Sequence, residues 1–111
     1  MFSIIIATCG RPERLRRCLE CCRVAAARAG GIARLVVADN GPRREARETV
    51  DAVRGQWPWP VEFLETPPLD KCAALNAALR RVAGGWVAFT DDDTLPDARW
   101  LEAAREYRDA N

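Results

Sequence analysis

Residues 2–22, FSIIIATCGRPERLRRCLECC, join an apolar run to a segment with helical periodicity. The run at positions 2–7 is rich in β-branched residues, which is typical of a buried strand. From Pro12 onward, apolar residues recur every three or four positions, and proline suits the first turn of a helix. Gly30 and Gly31 are predicted to end that helix. The stretch therefore predicts a strand, a short polar loop and a long helix.

The alternation of strand and helix continues through the rest of the chain. We predict further strands at positions 33–38, 61–65 and 86–90, and further helices at positions 43–56, 70–85 and 96–110. Strands that alternate with helices are typical of βαβ units and of a parallel sheet. The expected fold is therefore α/β, an open three-layer arrangement in which helices cover both faces of a sheet of parallel strands.

Periodicity also predicts which side chains face the core. Cys18 and Cys22 share a stripe with leucines, so we expect core thiols rather than zinc ligands. Asp70 is expected to cap the third helix. The second helix is expected to carry two solvated ion pairs, Arg44–Glu48 and Arg47–Asp51, and the tryptophans at 57 and 59 are expected to cover the sheet edge. The other expected inward positions are Cys72, Leu75, Leu79 and Val82 in the third helix, and Trp100, Leu101, Ala104 and Tyr107 in the last.

Composition indicates one ordinary domain covering residues 1–111. The chain has 49% hydrophobic residues, enough for one core, and a formal net charge of +1, which gives no basis for binding nucleic acid or an anionic membrane. No run is apolar enough to span a membrane, and the first residues lack the features of a signal peptide. Five cysteines, an odd number, favour reduced thiols. We therefore expect a cytoplasmic location.

Polar residues follow three of the four predicted strands at the point where each strand ends. Thr8 ends the first strand, Asp39 and Asn40 end the second, and three consecutive aspartates at 91–93 end the fourth. Carboxyl ends of parallel strands meet at one edge of the sheet, and ligands of open α/β sheets bind at that edge. The sequence therefore predicts one polar crevice.

The crevice lacks the usual phosphate-binding loops. After the first strand the chain reads TCGRPER, which is neither a dinucleotide-binding glycine motif nor a P-loop. A divalent metal is another way to hold a diphosphate. Asp91 and Asp93 offer hard oxygen ligands of the kind that Mg²⁺ or Mn²⁺ prefers. We therefore predict a metal site at these two aspartates.

Each of these residues also has a simpler interpretation. Aspartates commonly cap helices and occupy turns, and Asp39 taken alone before Asn40 and Gly41 is more typical of a turn. Lys71 and Arg11 are placed to contact phosphate, but both also fit exposed helix surfaces. Asn76 is unusual in a helix interior, and it also fits a position that faces water.

The order of these motifs resembles a known family. The pieces are SIIIATCGRPERLRRCLE, LVVADNG, DKCAALNAAL and WVAFTDDDTLPDARWLE, which together cover nearly the whole chain. In this order and spacing they are similar to the nucleotide-binding half of a family 2 glycosyltransferase of the GT-A fold. The resemblance implies a donor that is a nucleotide-diphosphate sugar, with a UDP-sugar favoured, and a divalent metal, manganese or magnesium.

The resemblance also implies roles for individual residues. Thr8 matches the residue beside the nucleotide base, and Asp39 matches the acid that receives the uracil N–H group. Lys71 falls where a basic residue contacts the nucleotide, and Asn76 falls on the asparagine of the family's Ala-Leu-Asn helix. The aspartates at 91–93 match the DXD motif: Asp91 would lie near the ribose, Asp92 beside the nucleotide, and Asp93 on the metal that bridges the diphosphate.

Some features depart from this family pattern. The family often has Pro-Thr-Tyr-Asn at positions 7–10, where this chain has Ala-Thr-Cys-Gly. Family members also continue beyond the DXD motif into an acceptor-binding half that holds the general base of inverting enzymes. This chain ends at Asn111, so we expect a domain truncated after that motif, without the base.

Three functions follow from these observations. The first is the donor-binding part of a glycosyltransferase, which we expect to be an inverting enzyme. The second is a non-catalytic nucleotide-binding or assembly fragment, which would self-associate through an exposed sheet edge. The third is a phosphatase of the haloacid dehalogenase type, because AFTDDDTL resembles its signature, although Leu95 stands where that signature needs Thr or Val.

Overall fold

The computed structural model describes residues 1–111 and contains four strands and four helices in strict alternation. Their bounds are β1 Phe2–Thr8, α1 Pro12–Arg28, β2 Arg34–Asp39, α2 Ala46–Arg54, β3 Val61–Glu65, α3 Lys71–Leu79, β4 Trp86–Asp91 and α4 Trp100–Ala110. All eight predicted elements are present, and the α/β expectation is confirmed. None of the four helices combines the length and the apolar character needed to cross a bilayer.

The four strands form one sheet in the order β3-β2-β1-β4, and every pairing is parallel. The chain builds outward from β1 to β3 and then returns to the other side of β1 to add β4. At the carboxyl edge, Thr8 pairs with Asp39 of β2, and Ala7 pairs with Asp91 of β4. The strand order therefore reverses between β1 and β4, and open α/β sheets bind ligands at such a point.

Helices cover both faces of the sheet, as expected for three layers. One face carries the larger core, in which Ile4, Ile6, Leu35 and Val37 pack against α1, α2 and α4. The Cys18 and Cys22 side chains are buried there beside Leu15 and Leu19, and all five cysteines are free thiols, so the prediction of core thiols is confirmed. The other face carries a smaller core, in which Ile5, Ala7, Val36 and Ala38 meet Ala74 and Ala78 of α3.

Helix α3 differs from its prediction in length and in the face that it buries. Asp70 caps it as expected, since its carboxylate accepts a hydrogen bond from the Ala73 N–H at 2.9 Å. The helix ends at Leu79 instead of running to position 85, and Cys72 and Leu79 are exposed rather than inward. The buried contact with the sheet is made by Ala74 and Ala78, whereas Leu75 and Val82, which were predicted to face inward, pack against this smaller core from half-buried positions.

Helices α2 and α4 both begin later than predicted. Arg44 has a left-handed backbone with φ of 53°, so it lies before α2 and cannot form the expected i,i+4 pair with Glu48. Arg47 pairs with Glu65 of β3 at 3.3 Å rather than with Asp51. Ahead of α4, the Asp97 carboxylate accepts a hydrogen bond from the Arg99 N–H at 2.8 Å, and the Asp97 carbonyl accepts one from the Trp100 N–H at 2.9 Å. Within α4, Tyr107 is 70% exposed rather than inward.

The two tryptophans before β3 pack against the larger core rather than only over the sheet edge. Trp57 is buried within that core, and Trp59 contacts it from a half-buried position. Their rings meet edge to face with centroids 5.9 Å apart. The pair therefore closes the larger core at the end of α2, and no aromatic ring of the pair lies in the crevice at the carboxyl edge.

The larger core predicts a clear difference between two substitutions on α1. Leu19→Ala removes a fully buried side chain and should lower the free energy of unfolding by about 2–5 kcal/mol. Arg14→Ala, on the exposed face of the same helix, should change it by no more than about 0.5 kcal/mol. Urea denaturation followed by circular dichroism measures both values. Equal effects of the two substitutions would contradict the packing of α1 described above.

Candidate functional site

A cavity of about 420 Å³ opens at the carboxyl edge of the sheet, beside the point where the strand order reverses. Its lining comes from the ends of β1, β2 and β4 and from the segment that leads into α3. The lining residues are Ala7, Thr8, Cys9, Arg11, Asn40, Leu69, Lys71, Asp91, Asp92 and Asp93. Polar side chains that are up to 85 positions apart in sequence are thus brought together, as the strand ends predicted.

Asp92 is the buried member of the aspartate trio. Its carboxylate accepts hydrogen bonds from the Thr8 hydroxyl at 2.8 Å, from the Cys9 N–H at 3.4 Å and from Arg11 Nη1 at 3.3 Å. Thr8 is itself buried, so its hydroxyl is committed to this bond. Asp92 therefore joins the end of β4 to the end of β1 and orients the Thr8 side chain.

Asp91 and Asp93 are the more exposed members, and each pairs with a cation. Lys71 Nζ lies 2.9 Å from Asp91 Oδ1, and Arg11 Nη1 lies 3.2 Å from Asp93 Oδ2. The hydrogen bond with Asp91, reinforced by its charge, raises the pKa of Lys71, so Lys71 remains protonated near neutral pH. Two cationic side chains of the chain itself therefore neutralise two of the three negative charges of the trio.

A tight turn holds the trio on the end of β4. The carbonyl of Asp91 accepts hydrogen bonds from the Thr94 N–H at 3.3 Å and the Thr94 hydroxyl at 2.9 Å, and from the Cys18 thiol at 3.3 Å. Hydrogen bonding between the Cys18 and Cys22 thiols lowers the pKa of Cys18 and raises that of Cys22. Cys18 supports the turn from behind, and neither of these two thiols lines the cavity.

Asp39 lies behind the cavity lining. It is 1% exposed, and its Oδ1 atom accepts a hydrogen bond from the Gly41 N–H at 2.8 Å. Its Oδ2 atom is buried and has no hydrogen-bond partner within the chain. An unpaired buried carboxylate oxygen is costly, so this atom is an unsatisfied acceptor. Asp39 pairs with Thr8 in the sheet and precedes Asn40, and both of these residues line the cavity.

Asn40 lines the cavity, although the sequence predicted no binding role for it. Oriented so that both ends of its amide find partners, it donates to the Thr8 carbonyl at 2.7 Å and accepts from the Lys71 N–H at 3.1 Å. It thereby joins β1 to the first turn of α3. The next position requires glycine, because a Cβ atom on residue 41 would lie only 2.9 Å from the Gly10 nitrogen. From sequence alone, Asn40 and Gly41 indicate only a turn.

Asn76 does not join the cavity. It lies more than a turn beyond Lys71 on α3, its side chain is exposed, and it is absent from the cavity lining. The interpretation in which it faces water agrees with this placement. The other predicted site residues either line the cavity, as Thr8, Arg11, Lys71 and residues 91–93 do, or lie directly behind it, as Asp39 does.

The carboxylates do not form a metal cage by themselves. No group of three or more acidic, cysteine or histidine side chains converges closely enough to hold a metal ion. Lys71 contacts only one oxygen of Asp91, and Arg11 contacts only one oxygen of Asp93. Mg²⁺ is commonly bound by one or two carboxylates together with substrate phosphates. Asp91 and Asp93 therefore fit an ion that arrives with a diphosphate, and they do not fit an ion held by protein alone.

Comparison with known proteins identifies a family. The protein-family model described as glycosyl transferase family 2 matches residues 3–111 of this chain. The succinoglycan biosynthesis protein ExoM of Rhizobium meliloti (strain 1021) is 32% identical over 68 residues, which are 61% of this chain and 22% of ExoM. The family match favours the predicted glycosyltransferase resemblance over the phosphatase alternative.

Solved structures agree with the fold. The crystal structure of S. aureus TarS aligns with a TM-score of 0.80 at 23% identity, covering 98% of this chain and 19% of that chain. TarS 1–349 in complex with UDP aligns with a TM-score of 0.77 at 23% identity, covering 98% of this chain and 32% of that chain. TarS 1–349 in complex with UDP-GlcNAc aligns with a TM-score of 0.75 at 21% identity, covering 98% of this chain and 31% of that chain. The expected GT-A architecture is confirmed, and this chain spans about a fifth to a third of the length of these relatives.

The contacts of the trio predict unequal effects of removing its members. Asp92→Ala leaves the buried Thr8 hydroxyl without its acceptor, so it should lower the free energy of unfolding by about 2–3 kcal/mol. Asp93→Ala removes one exposed ion pair and should change it by less than about 1 kcal/mol. Urea denaturation at neutral pH compares the two variants. A larger loss in Asp93→Ala than in Asp92→Ala would contradict the division into buried and exposed aspartates.

Proposed function

Because the chain belongs to glycosyl transferase family 2, we propose that residues 1–111 act as the nucleotide-sugar-binding unit of a glycosyltransferase. The observation that carries the proposal is the cavity at the reversal of strand order. Thr8, Lys71 and the three aspartates surround it, and the unpaired carboxylate oxygen of Asp39 lies behind it. A polar crevice at this place in an α/β sheet suits a nucleotide.

The base of the nucleotide would be recognised by Asp39. Its buried Oδ2 atom is an acceptor without a partner, and the N3–H group of uracil is a donor of matching chemistry. Cytosine and adenine carry no ring N–H group at the corresponding position in their neutral forms. Guanine carries one at N1, so this difference favours uracil over cytosine and adenine but not over guanine. The TarS structures that contain UDP and UDP-GlcNAc support a UDP-sugar as the donor.

The diphosphate would be held by cations at the cavity mouth. Lys71 and Arg11 both line the cavity and already neutralise aspartates there, so either can turn to a phosphate oxygen. Asp93 and Asp91 would hold a divalent ion, Mn²⁺ or Mg²⁺, together with the phosphates. When bound, such an ion stabilises the negative charge of a leaving diphosphate. Asp91 would also lie near the ribose, while Asp92 orients Thr8 beside the base.

The proposed reaction is the transfer of a sugar to an acceptor hydroxyl with inversion at the anomeric carbon. The acceptor oxygen attacks that carbon, the bond to the diphosphate breaks, and a general base takes the hydroxyl proton. None of the residues around the cavity is assigned as this base, and the acceptor is not assigned either. We propose a cytoplasmic site of action, because five free cysteines, two of them fully buried in the core, suit a reducing compartment.

A second candidate is a binding or assembly module without catalysis, and the exposed edge of β4 favours it. This strand pairs only with β1, and Trp86 and Phe89 on it are 54% and 51% exposed. An uncovered apolar edge strand can pair with a second copy of the chain. The two candidates require different parts of the molecule. Assembly requires only the exposed edge of β4, whereas sugar transfer requires the nucleotide site in the cavity.

Nucleotide titration tests the first candidate. Calorimetry should show UDP binding in the presence of Mn²⁺, and chelation should weaken it by at least about tenfold, because phosphate and carboxylate oxygens would lose their shared cation. Asp93→Ala should weaken it similarly, whereas Asp97→Ala, an exposed acid outside the cavity, should not. UDP binding that is the same in Asp93→Ala and with chelator would contradict the metal assignment, and no UDP binding at all would contradict the donor site.

Sedimentation equilibrium tests the second candidate. If β4 edges pair, the mass of the wild-type chain should rise above that of a monomer with increasing concentration. Phe89→Lys should restore the monomer, because a charge on an edge strand opposes pairing. Leu95→Lys, an exposed leucine that lies after the strand, serves as the matched control and should leave the mass unchanged. A monomer at all concentrations would argue against assembly through this edge.

A further inference from the structure

Two residues other than glycine have a left-handed backbone, and both donate a backbone hydrogen bond to the turn formed by residues 39–41. They are Arg44, with φ of 53°, and Leu69, with φ of 59°. The Arg44 N–H donates to the Gly41 carbonyl at 3.3 Å, and the Leu69 N–H donates to the Asn40 carbonyl at 2.8 Å. Unfavourable backbone conformations persist only where surrounding contacts enforce them, and they cluster at functional sites. The turn at 39–41 is therefore held under constraint from two sides.

The Arg44 side chain also forms hydrogen bonds that stabilise this turn. Its Nη1 atom donates to the Asp39 carbonyl at 2.8 Å and to the Thr66 carbonyl at 2.7 Å. The Thr66 N–H also donates to the Asp39 carbonyl, at 3.0 Å. One guanidinium nitrogen thus joins the end of β2 to the segment that follows β3. These bonds come from a charged donor in a half-buried position, where hydrogen bonds are stronger than those between neutral groups.

These contacts act on the residue proposed to recognise the base. The Asp39 carbonyl is fixed by Arg44 and Thr66, and its Oδ1 atom is fixed by the Gly41 N–H. Only the Oδ2 atom is left without a partner. The direction in which that oxygen points is therefore set by the main chain that Arg44 holds in place.

We propose that Arg44 is a positioning residue that sets the base selectivity of the nucleotide site by fixing Asp39. The inference rests on the proposed function, because it assumes that a nucleotide binds in the cavity. Arg44 itself does not line the cavity. Its effect would reach the base only through the main chain of the turn.

The chain offers a clean substitution and a matched control. Arg44→Gly removes the guanidinium while keeping the turn accessible, because glycine adopts a φ near 53° without strain. Arg43→Ala removes the same charge from the neighbouring position, where the side chain is exposed and forms no ion pair or hydrogen bond. Arg44→Lys keeps a charged donor that can reach a carbonyl group, so it tests rescue.

The experiment compares the dissociation constants of UDP and ADP for each variant by calorimetry with Mn²⁺ present. The two ligands share a diphosphate, so their ratio cancels changes in folding and in phosphate binding. Arg44→Gly should reduce the preference for UDP by about tenfold, the value of one hydrogen bond to the base. Arg43→Ala should leave the ratio unchanged, and Arg44→Lys should restore at least part of it.

Each outcome has a distinct meaning. A reduced ratio in Arg44→Gly, with Arg43→Ala unchanged, supports the positioning role. UDP binding with an unchanged ratio in Arg44→Gly overturns this inference and leaves the nucleotide site standing, even if the variant unfolds at a lower temperature. A wild-type chain that binds neither nucleotide overturns the proposed function, and this inference falls with it.

Discussion

The side chain of Asp92 joins the two strands on which the candidate site is built. It is buried at the end of β4, and it accepts hydrogen bonds from the Thr8 hydroxyl and the Cys9 N–H at the end of β1. These strands are neighbours in the sheet but more than 80 residues apart in sequence. The strand order reverses between them, the crevice opens at their carboxyl ends, and Asp92 is part of its lining.

Charge balance is the second constraint on the site. Two carboxylates about 4 Å apart repel by about 4 kcal/mol at the effective dielectric of a protein surface, so three in a row need cations nearby. Arg11 reaches Asp92 and Asp93, and Lys71 reaches Asp91. In the proposed function, a metal and a diphosphate would enter as a pair of opposite charges, which leaves the net charge of the crevice nearly unchanged. The same two cations can then contact phosphate.

The sequence predicted β-strand positions better than helix faces, and the packing surface explains the difference. An apolar run such as that of β1 is buried on both sides of the sheet, so no choice of face is needed. The face of α3 depends on what it meets, and in the smaller core it meets Ile5, Ala7, Val36 and Ala38. The helix buries Ala74 and Ala78 in this contact and leaves Cys72 and Leu79 outside, against the rule that larger apolar residues face inward.

The sequence by itself determined the alternation of strands and helices, the parallel sheet and the collection of Thr8, Asp39 and the aspartate trio at one edge, because periodicity and strand ends are local signals. Only the tertiary structure separated buried Asp92 from exposed Asp91 and Asp93, assigned Arg11 and Lys71 as their partners and placed Asn76 outside the cavity. It also moved Arg44 from a helix surface to the turn that holds Asp39. Ion pairs and hydrogen bonds of this kind join residues that are distant in sequence, and their geometry is fixed only when the sheet brings those residues within about 3 Å of each other.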